Sequence, residues 1–494
     1  MAEAVKKKKK RGMPTSFTIL FGCLVFVAIC TWIVSAFTPD VTGATLAQVL
    51  QAPFAGFKNA IDVCLFVIVL GGFLAIVNKT GALDAGIATL VRKLGNRDTL
   101  LIPVLMLAFG ICGSTYGMME ETIPFYILLA SVTFAMGFDS MVGALIVLLG
   151  AGLGTLGSTV NPFSIAIASS ALTDMGIAVN QGTLIAVGFL LFVISEGMGI
   201  FFVMRYAKRV KADRANSAMT PEELASMDAA YADETKVLEE EESASNLKDA
   251  VLTGKQKLVL VLFALSFIVM IISFIPWESF GIDFFALGAT PDNPSTAWSA
   301  FLTGLPLGEW YFTECGIWFF VISIIIGLVG GLDEKELVNT FVDGCSTMIS
   351  TALVIAVARA ISVLMAETGL DVFVLNAAAT ALSGVSAVIF APASYALYFV
   401  LSFLIPSSSG MATVSMPIMG PLADSLGFSP DIMIMIYVAA HGVVAMITPT
   451  NGVIVSGLEL AHTSYTTFLK LTLKFFIALT VVTAAVLTVL MLVM

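Results

Sequence analysis

Apolar runs close to the ~20 residues needed to cross a bilayer recur along the whole chain. They are Phe17–Phe37, Ala60–Val77, Leu184–Met204, Leu258–Ile275, Ile317–Val329 and Phe475–Met494. This pattern predicts membrane-spanning helices and an all-α membrane protein. Between them lies a second kind of segment, apolar but interrupted. Leu100–Cys112 meets Gly-Ser-Thr-Tyr-Gly, and Ile123–Met136 follows. An apolar stretch of about thirteen residues reaches roughly 20 Å, short of the ~30 Å hydrocarbon core. Two short helices joined by a small polar tip predict a re-entrant hairpin at about residues 99–136. Ala393–Ile405, the tip Pro406–Gly410 and Met411–Ala423 predict another at about 392–425. Each is followed by a long segment, Met141–Leu172 or Asp431–Ala461, broken by Thr155–Ser164 or Thr448–Gly452. Pro removes a helix hydrogen bond and Gly loosens the backbone. Irregular backbone at membrane depth persists only where it is buried in protein or lines a cavity.

The two sets of segments resemble each other. Gly117, Met118 and Pro124 map onto Gly410, Met411 and Pro417 with an offset of 293. Gly137-Phe138 maps onto Gly427-Phe428, and Ser158–Asn161 onto Thr448–Asn451, with an offset of 290. Upstream, Thr80-Gly81 pairs with Thr368-Gly369. An ordered set with nearly constant offsets predicts an internal repeat.

Charge sets the orientation. Only 12% of the residues are charged and 58% are apolar, against about 25% charged in soluble proteins. Lys and Arg mark the cytoplasmic side: Lys6–Arg11, Arg92, Lys93 and Arg97, Arg205–Arg214, Lys255 and Lys257, Lys335, Lys470 and Lys474. There are none in Thr38–Phe57, Thr173–Gly182, Pro276–Thr313 or Ala360–Leu469. About nine crossings follow, with the N-terminus inside and the C-terminus outside. The first apolar run is too long for a signal peptide and lacks a clear cleavage site, so it reads as an uncleaved span. The two halves then have opposite topology. The expected division is a basic N-terminus at 1–16, a first membrane half at 17–210, an acidic cytoplasmic linker at 211–254 and a second half at 255–494. Much of the net charge of −11 sits in that linker. The six cysteines show no metal-site or disulfide spacing and read as small buried hydrophobes.

Inverted repeats with broken helices place a substrate site at the repeat interface near mid-membrane. Helix N-termini there attract carboxylates. Bare carbonyls and Ser, Thr and Asn oxygens near Gly113, Asn161, Pro406 and Asn451 suit Na⁺. An isolated Ser or Thr hydroxyl ordinarily bonds back to its own helix; four polar clusters in matched pairs point to a site. Glu120 and Glu121, with Thr122, sit just past the first tip, and an intramembrane carboxylate costs around 2.5–3.5 kcal/mol on insertion scales. The second half has no acid in the matching stretch, which reads Ala412, Thr413 and Val414, so the acidity is one-sided and favours a substrate with a cationic end. Arg359 can bind a carboxylate or pair with a buried acid. Glu196, Glu459, Asp62 and His441 are weaker candidates. No resident cofactor is expected; Na⁺ or H⁺ is a coupling ion to consider. An intramembrane zinc protease would need H-E-x-x-H, and His441 is followed by Gly-Val-Val-Ala. A serine hydrolase elbow finds no match at Gly157-Ser158. A channel would call for a charged selectivity ring, which is lacking.

The strings Lys-Lys-Arg-Gly-Met-Pro-Thr-Ser-Phe-Thr at 9–18, Gly-Met-Met-Glu-Glu-Thr-Ile-Pro-Phe-Tyr at 117–126 and Val-Asn-Pro-Phe-Ser-Ile at 160–165 are distinctive. So are Pro-Ser-Ser-Ser-Gly-Met-Ala at 406–412, Met-Pro-Ile-Met-Gly-Pro-Leu-Ala-Asp at 416–424 and Pro-Thr-Asn-Gly-Val at 449–453. With them the chain resembles the YfcC group of the DcuC-like carriers, in the ion transporter superfamily. The resemblance implies a homodimer in the bacterial inner membrane, each protomer with a scaffold domain and an elevator-type transport domain. It implies secondary transport by ion coupling or exchange. The substrates it implies are basic amino acids of the arginine/ornithine type or, as the alternative, C4-dicarboxylates. By the same resemblance, the polar tip and break positions fall on Ser114, Thr115, Ser158, Thr159, Asn161, Ser408, Ser409, Thr450 and Asn451. The Glu pair favours a cationic or zwitterionic amino acid over a dicarboxylate, with other small organic solutes remaining.

Overall fold

A computed structural model describes residues 16–83, 85, 86, 89, 99–231, 253–275, 277–290 and 293–494. The basic N-terminal run, Arg92, Lys93 and Arg97, and residues 232–252 of the acidic linker lie outside the described residues. The protein is all-α. Among the described residues seven helices are long and apolar enough to cross a membrane. They are Ile61–Lys79, Gln181–Ala212, Gly254–Phe274, Phe312–Gly330, the pair within Glu334–Thr368, Ala387–Leu404 and Tyr465–Val493.

The helices pack in two interleaved sets. A framework set combines Ser16–Ser35, Leu46–Asn59 and Ile61–Lys79 with Gly254–Phe274, Phe312–Gly330, Glu334–Thr347 and Ile349–Thr368. Small residues bring its backbones together, as in other membrane bundles. A methyl group on Gly71 would lie 2.6 Å from the carbonyl oxygen of Gly344, and one on Gly56 would lie 2.3 Å from that of Ala356. Phe66, Phe73, Phe263, Phe267 and Phe319 fill the space between, with Phe73 stacked on Phe263 at 5.8 Å and edge-on to Phe319 at 4.9 Å.

A hairpin set holds everything else that carries polar breaks. The first hairpin comprises Leu101–Tyr116 and Ile123–Ala135, and both arms pack on Ser140–Leu156. That helix stops at Gly157 and resumes as a wide turn at Pro162–Ala166 and a helix at Ile167–Thr173. The second hairpin comprises Ala387–Leu404 and Ser408–Ser425, packed on Pro430–Ala445, which stops and resumes at Gly452–Leu460. The two interrupted helices touch, with Gly442 set directly against Leu156. Helices Gln181–Ala212 and Tyr465–Val493 close the set.

The same local devices recur in both halves. Gly137 and Gly427 are left-handed, at φ 80° and 74°. The following Phe138 and Phe428 N–H groups reach back to the carbonyls of Thr133 and Ala423, the wrapped end of a Schellman motif. Asp139 and Ser429 then cap the next helix by accepting from Val142 and Ile432. Gly176 and His462 end the resumed helices with φ 78° and 55°.

Two expectations need correction. The arms of the second hairpin are longer than the expected short stretches: Ala387–Leu404 and Ser408–Ser425 have 18 residues each. Pro392, Pro417 and Pro421 lie inside those helices instead of ending them, as membrane helices tolerate when neighbours cover the freed carbonyls. The expected tip Pro406–Gly410 shrinks accordingly. Ser407 accepts from Gly410 N–H, so Ser408 to Gly410 form a first helical turn. The first part of the expected solvated linker is also structured. Pro221–Ala230 is a helix with a Thr220/Glu223 capping box, and Glu223 receives Ser464 N–H and Thr467 Oγ1 at the start of the final helix.

Candidate functional site

A cavity of about 180 Å³ opens where the two sets meet. Both hairpin tips and both helix breaks reach it. The first half contributes Gly117, Met119, Glu120, Glu121, Thr155, Asn161 and Phe163; the second contributes Pro406 to Ser409, His441, Thr450, Asn451, Gly452 and Val453. The framework supplies Val63, Phe312, Ile355, Ala358 and Arg359. A bound water needs ~10–15 Å³ by this measure, so the space suits a small organic solute.

Asn161 is 1% exposed and caps the resumed first helix. Its Oδ1 accepts from Phe163 N–H at 2.9 Å and its Nδ2 donates to Ser158 Oγ at 3.0 Å. Asn451 does the same in the second half: Oδ1 accepts from Val453 N–H at 3.1 Å and Nδ2 donates to Ala445 O at 2.9 Å. Gly117, at φ 77°, lays its backbone against Asn161 so closely that a Cβ would come within 2.5 Å of Nδ2. Tip and break are thus one unit. Around them, Ser114 Oγ donates to Gly157 O at 2.7 Å and Thr159 N–H donates to Ser114 O at 2.8 Å. In the second half Thr450 Oγ1 donates to Phe403 O at 2.9 Å, and Tyr437 OH donates to Ser408 O at 2.6 Å. Buried backbone ends in both breaks therefore have partners, as they must away from water.

Of the expected site residues, Glu120, Glu121, Asn161, Ser408, Ser409, Thr450 and Asn451 line the cavity together. Ser114, Ser158 and Thr159 stand one layer behind, tying tip to break. Thr115 and Thr413 bond back to Ile111 O and Ser409 O on their own helices, and Thr122 bonds to Met119 O. Around the positions considered for Na⁺, the Gly113 carbonyl accepts Gly117 N–H, while Asn161, Asn451 and Pro406 face the cavity. His441 lies in the wall with Nδ1 3.1 Å from Ser402 Oγ. Ser407 and the apolar lining of Val63, Phe163, Phe312 and Ile355 carry no signal in the sequence beyond apolarity or a serine run.

Charges are few and share this one cavity. Glu121 is 2% exposed and accepts Met119 N–H at 3.1 Å; Glu120 is half-buried beside it. Arg359, half-buried on the framework helix, lines the same cavity and interacts electrostatically with Glu120. The N-termini of Ser408–Ser425 and Gly452–Leu460 open onto the same space. The cavity therefore offers a guanidinium and two helix N-termini to a carboxylate, and two carboxylates to cations.

Spanning helices around a cavity built from hairpin tips and helix breaks define a multi-pass membrane transport protein, not an enzyme. The chain belongs to the C4-dicarboxylate anaerobic carrier family, DcuC, whose model matches residues 42–492. An uncharacterised Haemophilus influenzae protein is 27% identical over 92% of each chain. The Escherichia coli protein named "Putative basic amino acid antiporter YfcC" is 24% identical over 87% of this chain and 78% of its own. The Alcanivorax borkumensis YdaH transporter structure shares 14% identity over 96% of this chain and 98% of that one, with a TM-score of 0.46. Neisseria gonorrhoeae MtrF, titled as illuminating a class of antimetabolite efflux pumps, shares 16% over 98% and 96%, with a TM-score of 0.40. Both scores describe distant likenesses.

Proposed function

We propose that the protein is a secondary transporter of basic amino acids such as arginine and ornithine, held in this cavity. The observation that carries the reading is the charge set of the cavity, which Glu120, Glu121 and Arg359 line together. A basic amino acid has one carboxylate and two cationic groups, the complement of one guanidinium and two carboxylates. The α-carboxylate lies at Arg359 and the N-terminal turns at Ser408 and Gly452. The ammonium and side-chain cation lie at the Glu pair. The name given to the Escherichia coli relative agrees with this chemistry.

The halves lie in opposite orientations in a bacterial inner membrane, with the N-terminus and the acidic linker cytoplasmic. The hairpin set moves as an elevator against the framework set, which mediates a homodimer. The driving force is an Na⁺ or H⁺ gradient, or the counter-gradient of a second amino acid. One observation favours a second reading. Arg359 and two helix N-termini also suit a C4-dicarboxylate, the substrate in the family's name. The Glu pair opposes a dianion.

The test is counterflow of arginine, ornithine and succinate in proteoliposomes, with the wild type and Glu120→Gln, Glu121→Gln and double variants. Arginine and ornithine exchange in the wild type, lost in the double variant, is the expected result. Succinate exchange without arginine exchange installs the second reading. Arginine transport unchanged in the single and double variants removes the Glu pair from recognition.

A further inference from the structure

Glu196 lies outside the cavity, in the middle of helix Gln181–Ala212, and is 1% exposed. Neither carboxyl oxygen has a hydrogen-bond partner. A methyl group on Gly110, in the first arm of the first hairpin, would lie 3.1 Å from its Oε2. Helices Leu101–Tyr116, Ser140–Leu156, Pro430–Ala445 and Tyr465–Val493 pack against this helix. The first carries Cys112 and Tyr116; the second carries no titratable group and is capped by Asp139. The third carries Asp431, Tyr437 and His441, and the fourth Tyr465, Lys470 and Lys474. None of them hydrogen-bonds Glu196 or acts on it electrostatically. On its own helix the charged groups begin at Arg205, more than two turns away.

A carboxylate without donors or counter-charge is the costliest group to bury, and it neutralises by taking a proton. The place where this one sits ties it to the substrate site. One turn before Glu196, Phe192 lies on Gly157, where a Cβ would come within 2.4 Å of the Phe192 Cα. A further turn back, Gly188 packs on the carbonyl of Ser158, and Ser195 Oγ donates to Leu153 O at 3.2 Å. The helix carrying Glu196 is thus pressed along the arm and the break that form the first half of the cavity.

We propose that Glu196 is the proton-binding site that couples transport to a proton gradient, an inference that rests on the transporter reading above. With the proton on, an O–H bond sits on the carboxyl and the helix closes on Gly110. To release the proton to water, that O–H bond breaks and water must reach the carboxylate on the side to which the hairpin set has moved. Loading and release then alternate with the position of the first hairpin. No oxidant or reductant is involved; the proton comes from water on one side and leaves to water on the other.

Two readouts test this. The first needs no substrate: infrared difference spectra of wild type minus Glu196→Gln at neutral pH. A deuterium-sensitive carboxylic-acid C=O band present in the wild type and absent in the variant is expected. Coincident spectra in that region overturn the proposal whatever the solute. The second is arginine accumulation in Na⁺-free proteoliposomes under an imposed pH gradient, beside arginine counterflow. Glu196→Gln is expected to keep counterflow, which shows it folded, and to bring inside and outside arginine only to equality. Glu196→Asp is expected to restore part of the accumulation. Accumulation by Glu196→Gln equal to the wild type overturns the proposal. If the wild type carries no arginine, the basic amino acid reading fails and the infrared band still decides the fate of Glu196.

Discussion

Asn161 and Asn451 stand 290 residues apart and make the same hydrogen bond, each accepting the N–H two residues ahead at 2.9 and 3.1 Å. In each case the Asn closes the mouth of a break and starts the helix beyond it. A lost N-cap costs ~1 kcal/mol, and leaving the buried N–H unpaired adds ~1–3 kcal/mol.

The first prediction separates the two functions of these side chains. Asn161→Asp and Asn451→Asp keep the accepting oxygen and lose the donor; the Ala variants lose both. We expect the Ala variants to unfold at lower temperature in detergent and to lose most transport, with the Asp variants between them and the wild type. Melting curves and initial uptake rates measure this. Wild-type rates in both Ala variants would show that the caps do not shape the site.

The matched Asn pair was legible in the sequence because the offset of 290 is shared with Gly137 and Gly427, whose φ values agree within a few degrees. Left-handed turns and caps are local, so a sequence comparison finds them. The tips are different. Gly117 and Gly410 align at an offset of 293, yet Gly117 is a left-handed helix end and Gly410 lies inside a first helical turn. A Ser hydroxyl, from Ser407, moved that helix start by a few residues, and serine runs do not announce which member will cap. Glu120 and Glu121 were visible as membrane charges. Arg359 was visible too, but its place in the same cavity as the Glu pair was not, because it comes from a framework helix more than two hundred residues away in the chain. The apolar lining is invisible for the opposite reason: Val63 and Phe312 sit in runs where most residues are apolar.

The second prediction concerns the tip. Gly117 and Gly137 are both left-handed, so a Cβ strains either by ~1–2 kcal/mol. At Gly137 nothing lies within 4 Å of the added carbon, whereas at Gly117 it would meet Asn161 at 2.5 Å. Gly117→Ala should therefore abolish most uptake, and Gly137→Ala should lower the melting temperature while keeping uptake. Equal uptake in the two variants would mean that the tip-to-break contact is not needed.

The third prediction assigns Arg359. If its guanidinium takes the α-carboxylate, a solute that lacks that group gains nothing from it. Agmatine is arginine without the carboxylate. Arg359→Gln should weaken arginine binding by about 10–100-fold, the ~1.5–3 kcal/mol of a hydrogen bond to a charged group, and leave agmatine binding nearly unchanged. Competition of both compounds against labelled ornithine reads this directly. An equal loss for arginine and agmatine would move Arg359 from recognition to packing.

The fourth prediction concerns Glu223 in the linker helix, outside the membrane. Burial alone would raise its pKa. The hydrogen bonds from Ser464 and Thr467, with that from Thr220 N–H, outweigh burial and hold it below the ordinary value of 4.5. A carboxyl lowered by folding stabilises the docked state above its unfolded pKa. That contribution fades as pH falls through the lowered folded value. Docking of Pro221–Ala230 on the start of Tyr465–Val493 should thus be unaffected between neutral pH and about pH 5, and should loosen only below about pH 4. Glu223→Gln, which cannot accept the same bonds as an anion, should loosen it already at neutral pH. Hydrogen exchange across residues 214–230 measures both, because protection follows local opening. Protection that is lost between pH 7 and 5.5 in the wild type, or that is unchanged in Glu223→Gln, would place the hold on this helix elsewhere, in the packing of Met219 and Met227 against Ser140.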